Sequence, residues 1–154
     1  VTFDGVSKTA NKTVYITGLP FNHTPPTSSL WSESGDVKFE SDYVRIGNGG
    51  DGGDGGGEIT FSNVSIPANT NVSLDYHFML HRGTVGLDYE IRIGGQVCVN
   101  ESHNNTIHTD KDFSTPTPIN IHIDNHANSV QCVSSYGLGA THSKTYKIAL
   151  SYSK

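Results

Sequence analysis

The sequence predicts an all-β protein: an antiparallel two-sheet sandwich of jelly-roll type, carrying an N-terminal arm strand. Three observations lead to that class. Apolar and polar residues alternate with period two through nearly every apolar segment, no stretch sustains a 3.6-residue period, and Gly, Asn and Pro interrupt the runs every few residues. About ten short strands punctuated in this way favour two packed sheets over a closed barrel. A length of 154 residues suits one core.

From the N-terminus, residues 1–17 read as the arm, 18–30 as a Pro-, Ser- and Thr-rich linker, and 31–154 as the sandwich body. The arm places Val1, Phe3 and Val6 ahead of Val14 and Ile16, the last two on one face of a strand at 12–17. An arm this short cannot bury those side chains by itself. It must add to a sheet, of its own body or of a neighbouring molecule.

In the body, strands are expected at 37–40, 43–46, 58–64, 71–80, 87–93, 96–100, 119–124, 129–134 and 145–152. The longest, NVSLDYHFML, turns Val72, Leu74, Tyr76, Phe78 and Leu80 one way and Ser73, Asp75, His77 and Met79 the other. LDYEIRI sets Leu87, Tyr89, Ile91 and Ile93 against Asp88, Glu90 and Arg92, and TYKIALSY puts Tyr146, Ile148, Leu150 and Tyr152 on one face.

Composition narrows the function classes. Charged residues are 16%, the net charge is −5, and uncharged polar groups carry much of the surface, a profile of exported β proteins. Ten Lys and Arg scattered singly make no phosphate-tracking stripe, which argues against nucleic acid and anionic membranes. No apolar run is long enough to insert in a bilayer, and a start at Val1 reads as a mature product whose export signal is gone. Six sequons, at Asn11, Asn22, Asn63, Asn71, Asn100 and Asn104, exceed the roughly 2.5 that this Asn, Ser and Thr content gives by chance. They point to N-glycosylation at an extracellular or cell-surface location. Cys98 and Cys132, both inside strand-like runs, are expected to form one bridge between neighbouring strands.

Residues 47–57 read GNGGDGGDGGG, directly before a strand. The favoured reading is a connector that permits close approach, because eight glycines make a poorly preorganised site. The alternative is calcium, held by Asp51, Asp54 and Glu58 with loop carbonyls. A single copy with Gly56 at the apolar position fails the repeating calcium nonapeptide of β-rolls. His122, Asp124 and His126 alternate along INIHIDNH and would share a transition metal only if another strand supplied a third ligand. Nucleophile elbow, phosphate loop and zinc-protease motifs are absent, and the acid pairs Glu33 with Asp36 and Asp88 with Glu90 sit in ordinary strand or turn contexts. The sequence therefore reads as no enzyme.

The layout GEITFSNVSIPANTNVSLDYHFML followed by LDYEIRIGGQ (57–96) resembles the central strands of jelly-roll, galactose-binding-like carbohydrate-binding modules. The resemblance implies sugar binding on aromatic platforms at loop tips, with calcium as a helper; Trp31, Tyr43 and Tyr136 are the rings available for it. A buried anchor is the competing role for Trp31. Two functions follow. The first is a secreted, glycosylated structural subunit whose arm pairs with the next copy to build a head-to-tail extracellular fibre, an assembly that resembles donor-strand surface fibres. The alternative is a carbohydrate-binding module or lectin, with extracellular polysaccharide as partner.

Overall fold

The computed structural model describes residues 31–47, 55–81, 87–103, 109–136 and 142–153, together with the backbone of short strands at 2–3, 6–7 and 13–16. Strands are numbered in chain order. One sheet has five, in the order β10 (Gln96–His103), β9 (Leu87–Ile93), β13 (Val130–Tyr136), β7 (Gly57–Phe61) and β4 (Ser32–Gly35). The second runs β11 (Lys111–Ser114), β8 (Thr70–Leu80), β14 (Ser143–Ser153), β6 (Val44–Ile46) and β5 (Val37–Phe39). In it β12 (Ile119–Ile123) shares one margin of β8 with β11, and β3 (Thr13–Ile16) shares one margin of β14 with β6. All pairs are antiparallel, and the described residues contain no helix, which gives the all-β sandwich that the alternation predicts.

The core lies between the sheets because each strand turns its apolar positions to the same side. In β8 the inward Val72, Leu74, Phe78 and Leu80 are fully buried, and β9 answers with Leu87, Tyr89, Ile91 and Ile93. Burial of each such side chain stabilises the fold by about 1.5–3 kcal/mol. Phe78 stacks on Tyr89 across the gap, ring centroids 3.9 Å apart, and Phe113 of β11 extends the stack at 5.1 Å.

Two tight passages depend on glycine. Gly94 and Gly95 take φ of 59° and 84° in the two-residue β9–β10 turn, the left-handed pair such hairpins require. The end of the glycine-rich loop meets the β4–β5 corner, where Asp36 N donates to Gly56 O at 3.2 Å. A Cβ on Gly35 would fall 2.4 Å from Gly56 O, so two backbones pass where no side chain fits. Close approach is thus what the described end of this loop provides; Asp51 and Asp54 lie outside the described residues.

The expected disulfide is not formed: Cys98 and Cys132 are free thiols. The reason is strand order. β9 runs between β10 and β13, with Ile91 paired both to Cys132 and to Val99, the neighbour of Cys98. Two inter-strand steps set the cysteines roughly 10 Å apart, beyond the Cα separation a bridge spans. Cys132 points into the core, and burial pushes its thiol up to about 12, while Cys98 sits in a β10 bulge between Val97 and Val99.

Of the arm, β3 pairs with β14 of its own chain, with Ile16 opposite Leu150 and Val14 opposite Tyr152. Phe3 and Val6 pair with each other in the small β1 (Thr2–Phe3) and β2 (Val6–Ser7) ribbon, which joins neither main sheet. Val1 lies outside the described residues.

Candidate functional site

The outer face of the seven-stranded sheet gathers the polar chemistry. Alternation in β8 sends Asp75 and His77 outward, and β14 lies directly beside it. A register shift in β14 between Thr145 and Lys147 makes Tyr146 the extra residue of a β-bulge. The bulge overturns the expectation that Tyr146 shares a face with Ile148, Leu150 and Tyr152. Thr145 stays buried, whereas the Tyr146 ring stacks on outward-facing His77 with centroids 4.6 Å apart at 24°. Tyr43, just before β6, closes on Tyr146 at 5.7 Å, and Lys144 Nζ sits 4.8 Å from the Tyr43 centroid. The result is a half-exposed aromatic tier of Tyr43, Tyr146 and His77.

Several polar groups around the tier are paired, whereas the buried Arg45 Nε and His142 Nδ1 have no hydrogen-bond partner among the described residues. Lys147 Nζ donates to Asp75 Oδ2 at 2.6 Å, and Thr115 Oγ1 donates to Asp75 Oδ1 at 2.7 Å. Those hydrogen bonds, that of Lys147 first, hold the Asp75 carboxyl below its usual range. His77 Nε2 and Asp112 Oδ1 are 2.7 Å apart. Partial burial and the nearby Asp112 carboxylate raise the Tyr146 phenol above its ordinary value. At the same end of the sheet, His81 stacks on buried His142 at 4.3 Å and engages Asp110 at 2.9 Å. Ring faces flanked by paired donors and acceptors can stack on and hydrogen-bond a polyhydroxylated ligand.

The other candidate residues fall elsewhere. Trp31 is 4% exposed and packs on Phe61 with centroids 5.3 Å apart, so it serves as a buried anchor, not a platform. Tyr136 ends β13, and its side chain lies outside the described residues. Glu58 is half-buried in β7. His122 bonds Asn71 and stands 3.8 Å from Asp124, but His126 turns to Ser65, so the three do not converge; among the described residues no three His, Cys, Asp or Glu side chains could hold a metal. Glu90 pairs with Arg92 and Asp88 accepts from Ser102, while Glu33 lies on exposed β4. The Ser65 Oγ to His126 Nε2 contact, 3.1 Å, brings hydroxyl and imidazole together, but no described carboxylate orients the ring as an acylating triad needs. Asn63, Asn71 and Asn100 are exposed, whereas Asn11, Asn22 and Asn104 lie outside the described residues.

Sequence reasoning found Tyr43 but missed Tyr146, His77, Asp75, Asp112 and Lys147. The signal within reach was Thr145-Tyr146-Lys147, where strict alternation would have buried Tyr146 and left Thr145 exposed beside the polar end of β8.

The fold and this face define a jelly-roll sandwich with an open polar-aromatic sheet surface. No family model matches the chain, and no curated protein does. Among solved structures it is similar to a family 35 carbohydrate binding module from Clostridium thermocellum, with 13% identity, 89% of this chain and 97% of that one covered, and a TM-score of 0.48. It is also similar to the Emp46p carbohydrate recognition domain in its potassium-bound form, at 9% identity, 86% and 95% coverage and TM-score 0.46. A third is the C-terminal CBM6 of LamC, a marine laminarinase from Zobellia galactanivorans, at 13% identity, 90% and 98% coverage and TM-score 0.43. At such identities and scores the likeness assigns no side chain here a role. Among the described residues no helix is long and apolar enough to cross a membrane.

Proposed function

We propose that the chain is an extracellular, non-catalytic carbohydrate-binding sandwich that takes a neutral saccharide on the outer face of its seven-stranded sheet. The observation that carries this reading is the half-exposed tier of Tyr43, Tyr146 and His77, set among the Asp75–Lys147 and His77–Asp112 pairs. Apolar sugar faces stack on such rings while hydroxyls exchange water for the flanking polar groups. On a neutral-glycan array, Tyr146→Ala and Tyr43→Ala should each weaken retention about tenfold with the fold intact. Silence of the unaltered chain across the array, with and without calcium, overturns the reading. Retention that a chelator abolishes brings the loop with Asp51, Asp54 and Glu58 into the site; retention that survives it leaves the tier as the whole site.

A second reading is self-assembly through the arm. β3 pairs with β14 of its own chain, so a fibre would need the same strand, delivered by the connector of residues 17–30, to take that margin on the next copy instead. Fully extended, such a connector reaches about 45–50 Å, enough to deliver the same strand to a second copy. Head-to-tail exchange of this kind does not close and yields a fibre, whose N-glycans at the sequons would sheath it. Removal of residues 1–17 should then leave subunits that recruit an arm peptide in trans. A truncated chain that stays monomeric and ignores the peptide rules the fibre out.

A further inference from the structure

About six residues along β8 from His77, roughly 20 Å at the rise of a strand, the outer face opens into a groove. It has a volume of about 430 Å³ and is lined by Asn69, Asn71, Ser73, Asn120, Ser151 and Tyr152 among others, with no charged residue in its lining. Amides and hydroxyls at this density suit a neutral ligand rich in hydroxyl and acetamido groups. Asn71 is the acceptor residue of the Asn71-Val72-Ser73 sequon. Its Oδ1 lies 2.9 Å from His122 Nδ1, and since an amide oxygen only accepts, the imidazole must donate from Nδ1. That contact fixes the amide by its oxygen. The nitrogen, the atom N-glycosylation substitutes, has no hydrogen-bond partner among the described residues.

We propose that Asn71 carries an N-linked glycan whose first sugars lie along this groove against Asn120 and Ser151. In the modification, Nδ2 of Asn71 bonds to the anomeric carbon of a lipid-diphosphate-linked oligosaccharide. The bond from that carbon to phosphate breaks, the lipid diphosphate leaves, and the displaced amide proton passes to the transferase base. A sugar tethered at the groove has a local concentration on the order of millimolar, so contacts too weak to hold a free saccharide suffice for this one. Asn63 and Asn100, the other sequon residues described, are exposed and line no part of this groove. The proposal is independent of any soluble ligand at the aromatic tier.

The test is site-resolved release of glycans by an endoglycosidase from the folded, natively glycosylated chain, followed by peptide mapping. Glycan on Asn71 should be released about tenfold more slowly from the folded than from the unfolded chain, a protection that a few hydrogen bonds supply. Asn120→Ala, at an exposed position, should abolish that protection at Asn71 and leave release at Asn63 and Asn100 unchanged. An unmodified Asn71, equal release from folded and unfolded chains, or protection indifferent to Asn120→Ala would overturn the proposal.

Discussion

Tyr89 Oη and Thr145 Oγ1 lie 2.9 Å apart in the fully buried centre of the sandwich, joining β9 of one sheet to β14 of the other by a hydrogen bond. The bond satisfies two hydroxyls that otherwise have no water to turn to. Burial, with the Cys132 sulfur close by, drives the Tyr89 phenol well above its ordinary range.

Tyr89→Phe strands the Thr145 hydroxyl and should lower unfolding stability by about 1–3 kcal/mol in urea titration. Thr145→Val should cost a similar amount. The double variant should lose clearly less than the two losses added, because removing both partners leaves nothing unsatisfied. Strict additivity would show that the hydroxyls do not act as a pair.

The β9–β10 turn separates two effects of glycine. A Cβ on Gly94 would lie 2.4 Å from Ala127 Cβ, whereas one on Gly95 meets nothing within 4 Å, and both residues have positive φ. Gly95→Ala should therefore cost about 1 kcal/mol from backbone strain alone. Gly94→Ala adds the collision and should cost about 2–4 kcal/mol, read as the difference in thermal midpoint between the two variants.

Stability should fall on mild acidification through His142. Burial first, then the positive neighbours His81, Lys144 and Arg45, lower its pKa from 6.5 to about 4, against a smaller opposing effect of Asp110. The unfolded chain therefore binds more protons than the folded one between those values. The contribution is complete above about pH 6.5 and is lost as pH drops toward 4, by about 3 kcal/mol at most. Denaturant titrations at pH 7 and 4.5 should show this loss in the unaltered chain and a shallower one in His142→Gln. Equal slopes would remove His142 from the account.

Both cysteines should titrate as thiols once the chain is unfolded. In the folded chain Cys132 should resist a thiol reagent and Cys98 should react slowly, since burial raises both pKa values and Cys132 is fully enclosed. A reductant should leave the thermal midpoint unchanged. A midpoint that drops with reductant would restore the bridge that β9 stands between.

Period-two alternation made β8, β9, β12 and most of β14 legible, because one face of each meets the core and the other meets solvent. β4 and β11 escaped notice for the same reason. Ser32–Gly35 is polar and exposed at every position, and Lys111–Ser114 has only Phe113 to mark a face, so neighbouring strands, not their own patterns, hold them extended. The site was less legible than the fold. Tyr146 changed face through a one-residue bulge, and the pairing of Cys98 with Cys132 failed on strand order, neither of which hydrophobic periodicity encodes. Trp31 had the chemistry of a platform, yet its burial against Phe61 depends on the way β4 and β7 lie together.

Thr13 pairs with Ser153 and Ile16 with Leu150, so the two segments meet at the end from which both chain termini lead away. Tension delivered through residues 13 and 153 would load these bonds one after another, like a zip, instead of all together as in a sheared ladder. The first strand to come away under load would be β3, at low force, while β8 and the rest of the sandwich kept their shape.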